Sequence, residues 1–412
     1  MSFNKLKIIN DPVHGFIKIP AELIYDLLEH PFLQRLRRIK QLGLTSLVYP
    51  GAMHTRFQHA IGAMHLMHQA IENIRQKGLK ITGEEAEAAA AAMLLHDIGH
   101  GPFSHALEQS IISDLTHEDI SRLLMHRLND EFNGKLELAL QIFENRYSKK
   151  FLHQLVSSQL DMDRMDYLMR DSFFTGVAEA TIGTERIIKM LNVVDDQLVV
   201  ESKGIYSIEK FLIARRLMYW QVYFHKTVIA AEHVLVKILQ RAKEIAVKDK
   251  GLFATEALDF FLRNMITQDA LKGDNDQIIR QFTSLDDDDI VVSAKAWVHH
   301  PDQMLSMLSN CLLWRNIPKV RIQDIPVDNA LMEQLKQRAV DHFGIDSSLA
   351  HYLVYKGTIS NHAYSGSDGK IRILYNDGSI KDMAESSDLF NVSLLVRPSV
   401  KYFLCYPKEC EV

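Results

Sequence analysis

The chain has 412 residues, 47% of them hydrophobic and 24% charged, with 19 Gly, 10 Pro and a formal net charge of −5. That length can bury a large core without disulfides or a structural metal, so little Gly and Pro excludes a low-complexity chain, and the acidic balance argues against a global nucleic-acid-binding field. Three scattered cysteines (Cys311, Cys405, Cys410), no signal-like apolar opening and no apolar run near the ~18–20 residues of a membrane span point to a cytoplasmic protein without membrane contact.

Residues 5–20 alternate apolar and polar side chains around a turn near Asp11–Gly15, which predicts a short β-hairpin. From Ala21 the period becomes helical, through Leu23, Leu27 and Leu28 and then Phe32, Leu36, Ile39 and Leu42, with Pro31 as the break. Ala60–Lys77 reads as a helix ending at Gly78, and Thr82 with Glu85 forms a capping box that opens a helix over Glu84–His96. Gly99, Gly101 and Pro102 stop it. Helical patterns continue to about residue 246, interrupted at 176–183, with a strand pair expected over 197–207 and Gly204 in its turn. Residues 254–345 remain helical, broken by Pro301 and by Asp286–Asp289, which reads as a solvated acidic loop. After about residue 350, β-branched and aromatic residues alternate, with a turn at Asn376-Asp377-Gly378. The expected fold is mostly α, a helical body with an N-terminal β-hairpin and a small α/β or β-rich C-terminal unit. It divides at 1–250, 251–345 and 346–412.

Histidine marks the chemistry. Nine of 19 lie between His54 and His126, where an even spread would put about three. The densest cluster is LLHDIGHGPFSH at 94–105, where His96-Asp97 at a helix end offers one nitrogen and one oxygen to a divalent cation. His59 begins another expected helix, and Asp163 lies on a third, where 163, 167 and 171 share a face. Together His59, His96, Asp97 and Asp163 would make a site suited to Mg²⁺, Mn²⁺, Fe, Zn²⁺ or Ni²⁺.

The order of His59, His96-Asp97 and Asp163 resembles the HD-domain phosphohydrolases. More closely, DPVHG at 11–15, FLQRLRRIKQLG at 32–43, YPGAMHTRFQHAIG at 49–62, LLHDIGHGPFSH at 94–105, THE at 116–118 and DMDRMDYLMRD at 161–171 resemble the deoxynucleoside triphosphate triphosphohydrolases, a group that includes dGTPase-like enzymes. The similarity spans residues 11 to about 230 and identifies 1–250 as the catalytic domain, with 251–345 a helical extension. It implies metal ligation by His59, His96, Asp97 and Asp163, a catalytic acid at His117 and an acidic partner for it at Glu108. It implies phosphate contacts from Arg56, His100, His105, Arg164, Tyr167 and Arg215, and sugar contacts from Gln41, Leu42, Asp171 and Tyr223. Arg164 stands where the animal enzyme of the family has Lys, and Phe224 where it has Gln. By the same resemblance, Gln34 and Arg37 match positions that help hold an activating guanine nucleotide, Glu29 replaces an Asp beside them, and Arg37 with Arg35, Arg38 and Lys40 would face its phosphates. The resemblance also implies a homo-oligomer, dimer or tetramer.

The expected activity is metal-dependent cleavage of dNTPs to deoxynucleoside and tripolyphosphate. The alternatives are an HD-type hydrolase of another nucleotide (a nucleoside monophosphate, a cyclic nucleotide or a guanosine polyphosphate) and a nucleotide-sensing or nucleic-acid-binding module.

Overall fold

The computed structural model describes residues 7–103, 116–248, 251–273, 275–361, 369–387 and 399–411. Ile8–Asp11 and Gly15–Lys18 pair antiparallel, from Ile8↔Lys18 to Asp11↔Gly15. The Asp11 carboxylate sets the turn by accepting the N–H groups of Val13 and His14 at 3.0 and 2.9 Å. Glu22–Glu29 follows as a helix, and Pro31 then occupies the first turn of a new one, where its missing N–H costs nothing.

The helix Arg56–Gln76 is the axis of the body, buried along most of its length and packed between Gly83–Leu95 and Met162–Thr175. The Thr82–Glu85 capping box is formed as expected, with Glu85 N–H to Thr82 Oγ1 at 3.1 Å and Thr82 N–H to Glu85 at 2.8 Å. Met162–Thr175 ends at Gly176, whose φ of +75° supplies the left-handed cap.

Three expectations fail, one of them the wholly helical reading of residues 254–345, since Lys319–Gln323 is a strand paired with the C-terminal region. The strand pair is Leu191–Val194 with Gln197–Glu201, turning at Asp195–Asp196, and Gly204 sits instead in the short turn that leads into the helix Ile205–Met218. Both aspartates take positive φ, 49° and 60°, which short polar side chains tolerate and which matches the twist of a two-residue hairpin. Third, Asp286–Asp289 is no solvated loop. Asp286 and Asp287 are 6% and 4% exposed, and Asp286 caps the helix Asp287–Trp297.

The C-terminal region is woven into earlier elements. Arg372–Leu374 adds in parallel to Gln197–Glu201, and Ile380–Asp382 closes that four-stranded sheet. Ser399–Tyr406 lies between Lys319–Gln323 and Tyr355–Asn361 in a second, three-stranded antiparallel sheet. The long helix Lys226–Lys248 packs against Lys319–Gln323 and against the Gly43–Leu47 turn, so it joins this sheet to the N-terminal helical body. No described helix is long and apolar enough to cross a membrane.

Candidate metal centre and nucleotide cleft

His59 and His96 come from different helices but present the same atom. The Nδ1 of His59 lies 2.8 Å from Asp166 and that of His96 lies 2.7 Å from the Met93 carbonyl, which fixes each ring with Nε2 pointing away from its anchor. Both Nε2 atoms are buried with no hydrogen-bond partner among the described residues. Asp163 Oδ1 lies 3.1 Å from the first and 3.5 Å from the second, and one donor atom from each of His59, His96 and Asp163 falls within 4.8 Å of the others. Asp97 reaches the same point with Oδ1 3.4 Å from His96 Nε2 and Oδ2 3.8 Å from His59 Nε2. Two bare imidazole nitrogens converging with carboxylate oxygens fit a divalent cation of the borderline class. All four residues expected as ligands are therefore brought together.

The electrostatics follow from burial. Burial favours neutral His59, yet the flanking carboxylates of Asp163 and Asp166 raise it to about 10, a proton that a bound cation would displace. Against the same cost of burial, His96, His100 and Arg56 hold Asp97 well below the usual carboxylate range.

Behind this centre lies a network that the sequence did not announce. Asp166, fully buried, bonds His59, His14 (2.6 Å) and Arg170 (2.9 and 3.0 Å), and Arg170 reaches on to Asp11 at 2.8 Å. Gly62 makes room for it: a Cβ there would lie 2.0 Å from Asp166 Oδ1 and 2.3 Å from the Arg170 guanidinium. Only the fourfold spacing of Asp166 and Arg170 hinted at a pair. Asp166→Asn is expected to lower affinity for Mn²⁺ about 10–100-fold, the usual effect of losing a partner that orients a ligand. Calorimetric titration reads this directly, and unaltered affinity would confine Asp166 to packing the hairpin on its helix.

Gly99 brings the next element in. A Cβ there would meet the His117 carbonyl at 2.2 Å, so its absence lets the helix His117–Glu131 start against the His96-Asp97 turn. The His117 ring stacks on that of His100, centroids 3.9 Å apart, and His100 Nε2 lies 3.3 Å from Asp97. His105 and Glu108 fall outside the described residues.

From the cluster a cleft of about 870 Å³ opens, lined by Gln41, Leu42, Arg56, Asp97, His100, His117, Asp163, Arg164, Tyr167, Asp171, Arg215 and Tyr223 among others. Arg56 bonds Asp97 at 2.7 Å, and Arg215 bonds Gln159 at 3.0 Å. Tyr219–Tyr223 is a π-helical turn, with Phe224 N–H reaching the Tyr219 carbonyl at 2.7 Å; Arg215, Tyr219 and Tyr223 all face the cleft. Such a turn recurs at functional sites and leaves no local signature in sequence. Tyr223 donates to Asp171 at 2.7 Å, whose other oxygen meets His54 at 2.7 Å. Gln41 Oε1 is buried with no partner among the described residues, an acceptor waiting for a donor.

Glu29, Gln34 and Arg37 do not line this cleft. Arg37 donates to Gln34 at 2.8 Å on the surface and lies 3.7 Å over the Phe57 ring, while Glu29 is exposed. Arg35 departs from its expected place beside them. It is fully buried, donating to the carbonyls of Ile98 (3.0 Å), His100 (2.8 Å) and Leu285 (3.0 Å), and burial lowers its guanidinium to about 9. Arg38 pairs with Asp286, and Asp287 accepts the N–H groups of Lys40 (3.0 Å) and Phe103 (3.2 Å). Phe103 holds a φ of +46°, so this carboxylate pins a strained residue on the cleft wall.

Comparison with known proteins agrees with this geometry. Residues 56–171 match the HD domain, and residues 182–260 match the HD associated region. The protein YwfO of Bacillus subtilis is 33% identical over 98% of this chain and 92% of its own length. A deoxynucleoside triphosphate triphosphohydrolase SAMHD1 homolog of Dictyostelium discoideum is 33% identical over 58% of this chain and 50% of its own length. A crystal structure of a phosphohydrolase from Bacteroides thetaiotaomicron superposes with a TM-score of 0.95 at 55% identity, covering 98% of this chain and all of that one. Matched by both family models and over nearly its whole length by these relatives, the chain belongs to the HD-domain phosphohydrolases.

Proposed function

We propose that this phosphohydrolase cleaves dNTPs to the deoxynucleoside and tripolyphosphate. The observation that carries the reading is that one cleft joins the imidazole–carboxylate cluster to Arg56, Arg164 and Arg215 and then to Gln41, Leu42, Asp171 and Tyr223. Three guanidinium forks suit a polyphosphate tail better than a single phosphate. A divalent cation held by His59, His96, Asp97 and Asp163 would supply a Lewis acid and an acidified water. Arg56, Arg164 and Arg215 hold the tail and spread its charge. Water oxygen bonds to the α-phosphorus as the bond to O5′ breaks. His117 gives its proton to the departing O5′, and the water proton passes to solvent. Gln41 and the Tyr223–Asp171 pair orient the sugar.

Leu42 and Tyr167, both on the cleft wall, would crowd C2′, where a ribose hydroxyl would lose its water and find no new partner. That mismatch costs about 1–3 kcal/mol, or roughly 5- to 150-fold in kcat/KM. The test incubates the metal-loaded protein with each dNTP and NTP and resolves nucleoside, tripolyphosphate, pyrophosphate and phosphate. Tripolyphosphate from dNTPs, with NTPs slower by that factor, is the expected result. Pyrophosphate or phosphate as the first product would overturn the reaction assigned, and equal turnover of GTP and dGTP would remove the sugar selectivity.

A further inference from the structure

The far wall of the cleft is built by elements outside the HD motif. The helix Lys226–Lys248 contributes Val228, Ile229, Glu232 and His233, and the C-terminal sheet contributes Gly357, Thr358 and Phe403. Spacings of four along one helix put Val228 with Glu232, and Ile229 with His233, on the same face. The His233 ring packs at 4.9 Å from Phe403 and 5.6 Å from Tyr355, which ties the helix to the strand across the cleft wall.

Glu232 is the anomaly in this wall. The other acidic side chains lining the cleft are accounted for: Asp97 bonds Arg56, Asp163 belongs to the cluster with His59 and His96, and Asp171 bonds Tyr223 and His54. Glu232 has no hydrogen-bond or ionic partner among the described residues. It is half-buried, and lost solvent alone pushes its carboxyl up to about 7. A carboxyl group on a cleft wall without a protein partner is free to take a donor brought by the ligand. Phosphate is a poor partner for the ionised carboxylate, since two anions would repel. What remains of a nucleotide at this end is its base.

We infer that Glu232, with the aromatic wall of His233 and Phe403, forms a nucleobase subsite that selects guanine. The inference rests on the reading of the cleft as a dNTP site. Guanine alone among the common bases presents two adjacent donors, N1–H and N2–H, and a carboxylate accepts both. Adenine and cytosine set an acceptor beside a donor, which opposes a lone pair to one carboxylate oxygen. Position agrees with the assignment. Glu232 and Tyr223 line the same cleft, on either side of the Phe224–His225 break between the π-helical turn and the helix Lys226–Lys248.

The test measures kcat/KM of the metal-loaded full chain for dGTP, dATP, dCTP and dTTP, in the wild type and in Glu232→Gln. The wild type is expected to favour dGTP. Glu232→Gln, which trades one acceptor for a donor, is expected to lower the dGTP-to-dATP ratio about 5- to 150-fold, the usual worth of a bidentate pair. Equal turnover of all four by the wild type, or a uniform loss across all four in the variant, would overturn the assignment. Calorimetric binding of deoxyguanosine and deoxyadenosine supplies a readout independent of cleavage. If no dNTP is hydrolysed, the triphosphohydrolase reading falls, and the subsite is then decided by whether Glu232→Gln weakens deoxyguanosine binding selectively. Hydrolysis with a base preference indifferent to Glu232 would leave the reaction standing and remove the subsite.

Discussion

Replacing His96 by Ala is expected to strip the divalent cation and abolish hydrolysis in a single step. The Nδ1 of His96 is engaged by the Met93 carbonyl, so its buried Nε2 has no other use than to face the centre. Losing it removes one of two nitrogen ligands and leaves mainly carboxylates, which suit harder ions and hold borderline ones weakly. The loss should exceed the roughly 10–100-fold effect of disturbing an orienting partner such as Asp166, which gives an internal scale. Metal content by elemental analysis, beside activity and a circular dichroism check of the fold, decides the matter. Full occupancy in His96→Ala would refute the ligand assignment.

His117→Ala should behave differently: metal retained, substrate bound, and kcat lower by roughly 10²–10⁴-fold, the range for a general acid. The difference follows from position. His117 stacks on His100, one residue removed from the ligand cluster, and opens a 15-residue helix whose positive end favours an anion nearby. Departure of a sugar alkoxide is costly unless a proton arrives with it, so the interaction matters in the transition state and little before it. KM should therefore move far less than kcat. A triphosphate ester of p-nitrophenol, whose leaving group needs no proton, should be much less sensitive to the substitution. A raised KM at unchanged kcat would make His117 a phosphate holder instead of an acid.

The parts of this site that could be read in advance are short-range. Thr82 and Glu85, three residues apart, state a helix start by themselves; Gly176 states an end; His96-Asp97 before two glycines states a ligand pair at a helix terminus. The parts that could not be read join residues far apart. Arg35 meets Leu285 across 250 positions and Arg170 meets Asp11 across 159. The basic run from 35 to 40, expected to face an effector's phosphates, is dispersed instead: Arg35 in the core, Arg37 over Phe57, Arg38 against Asp286, and Lys40 on the cleft wall. The acidic run Asp286–Asp289 was misread for the same reason. Its partners lie on a segment whose proximity is set by packing.

The sequence by itself determined most of the local elements and marked the His and Asp side chains that converge, because caps, breaks and the His-Asp pair act over a few residues. Tertiary structure decided the rest. It converged the Nε2 atoms of His59 and His96 on one point, because Asp166 and the Met93 carbonyl hold their opposite ring atoms. It placed Asp287 on the backbone of Phe103, and it carried a strand from the C-terminal region to the cleft beside Glu232. Each of these depends on how buried faces stack and how strands register. A sequence pattern shows that a face is apolar, whereas only the packed chain shows which other face covers it.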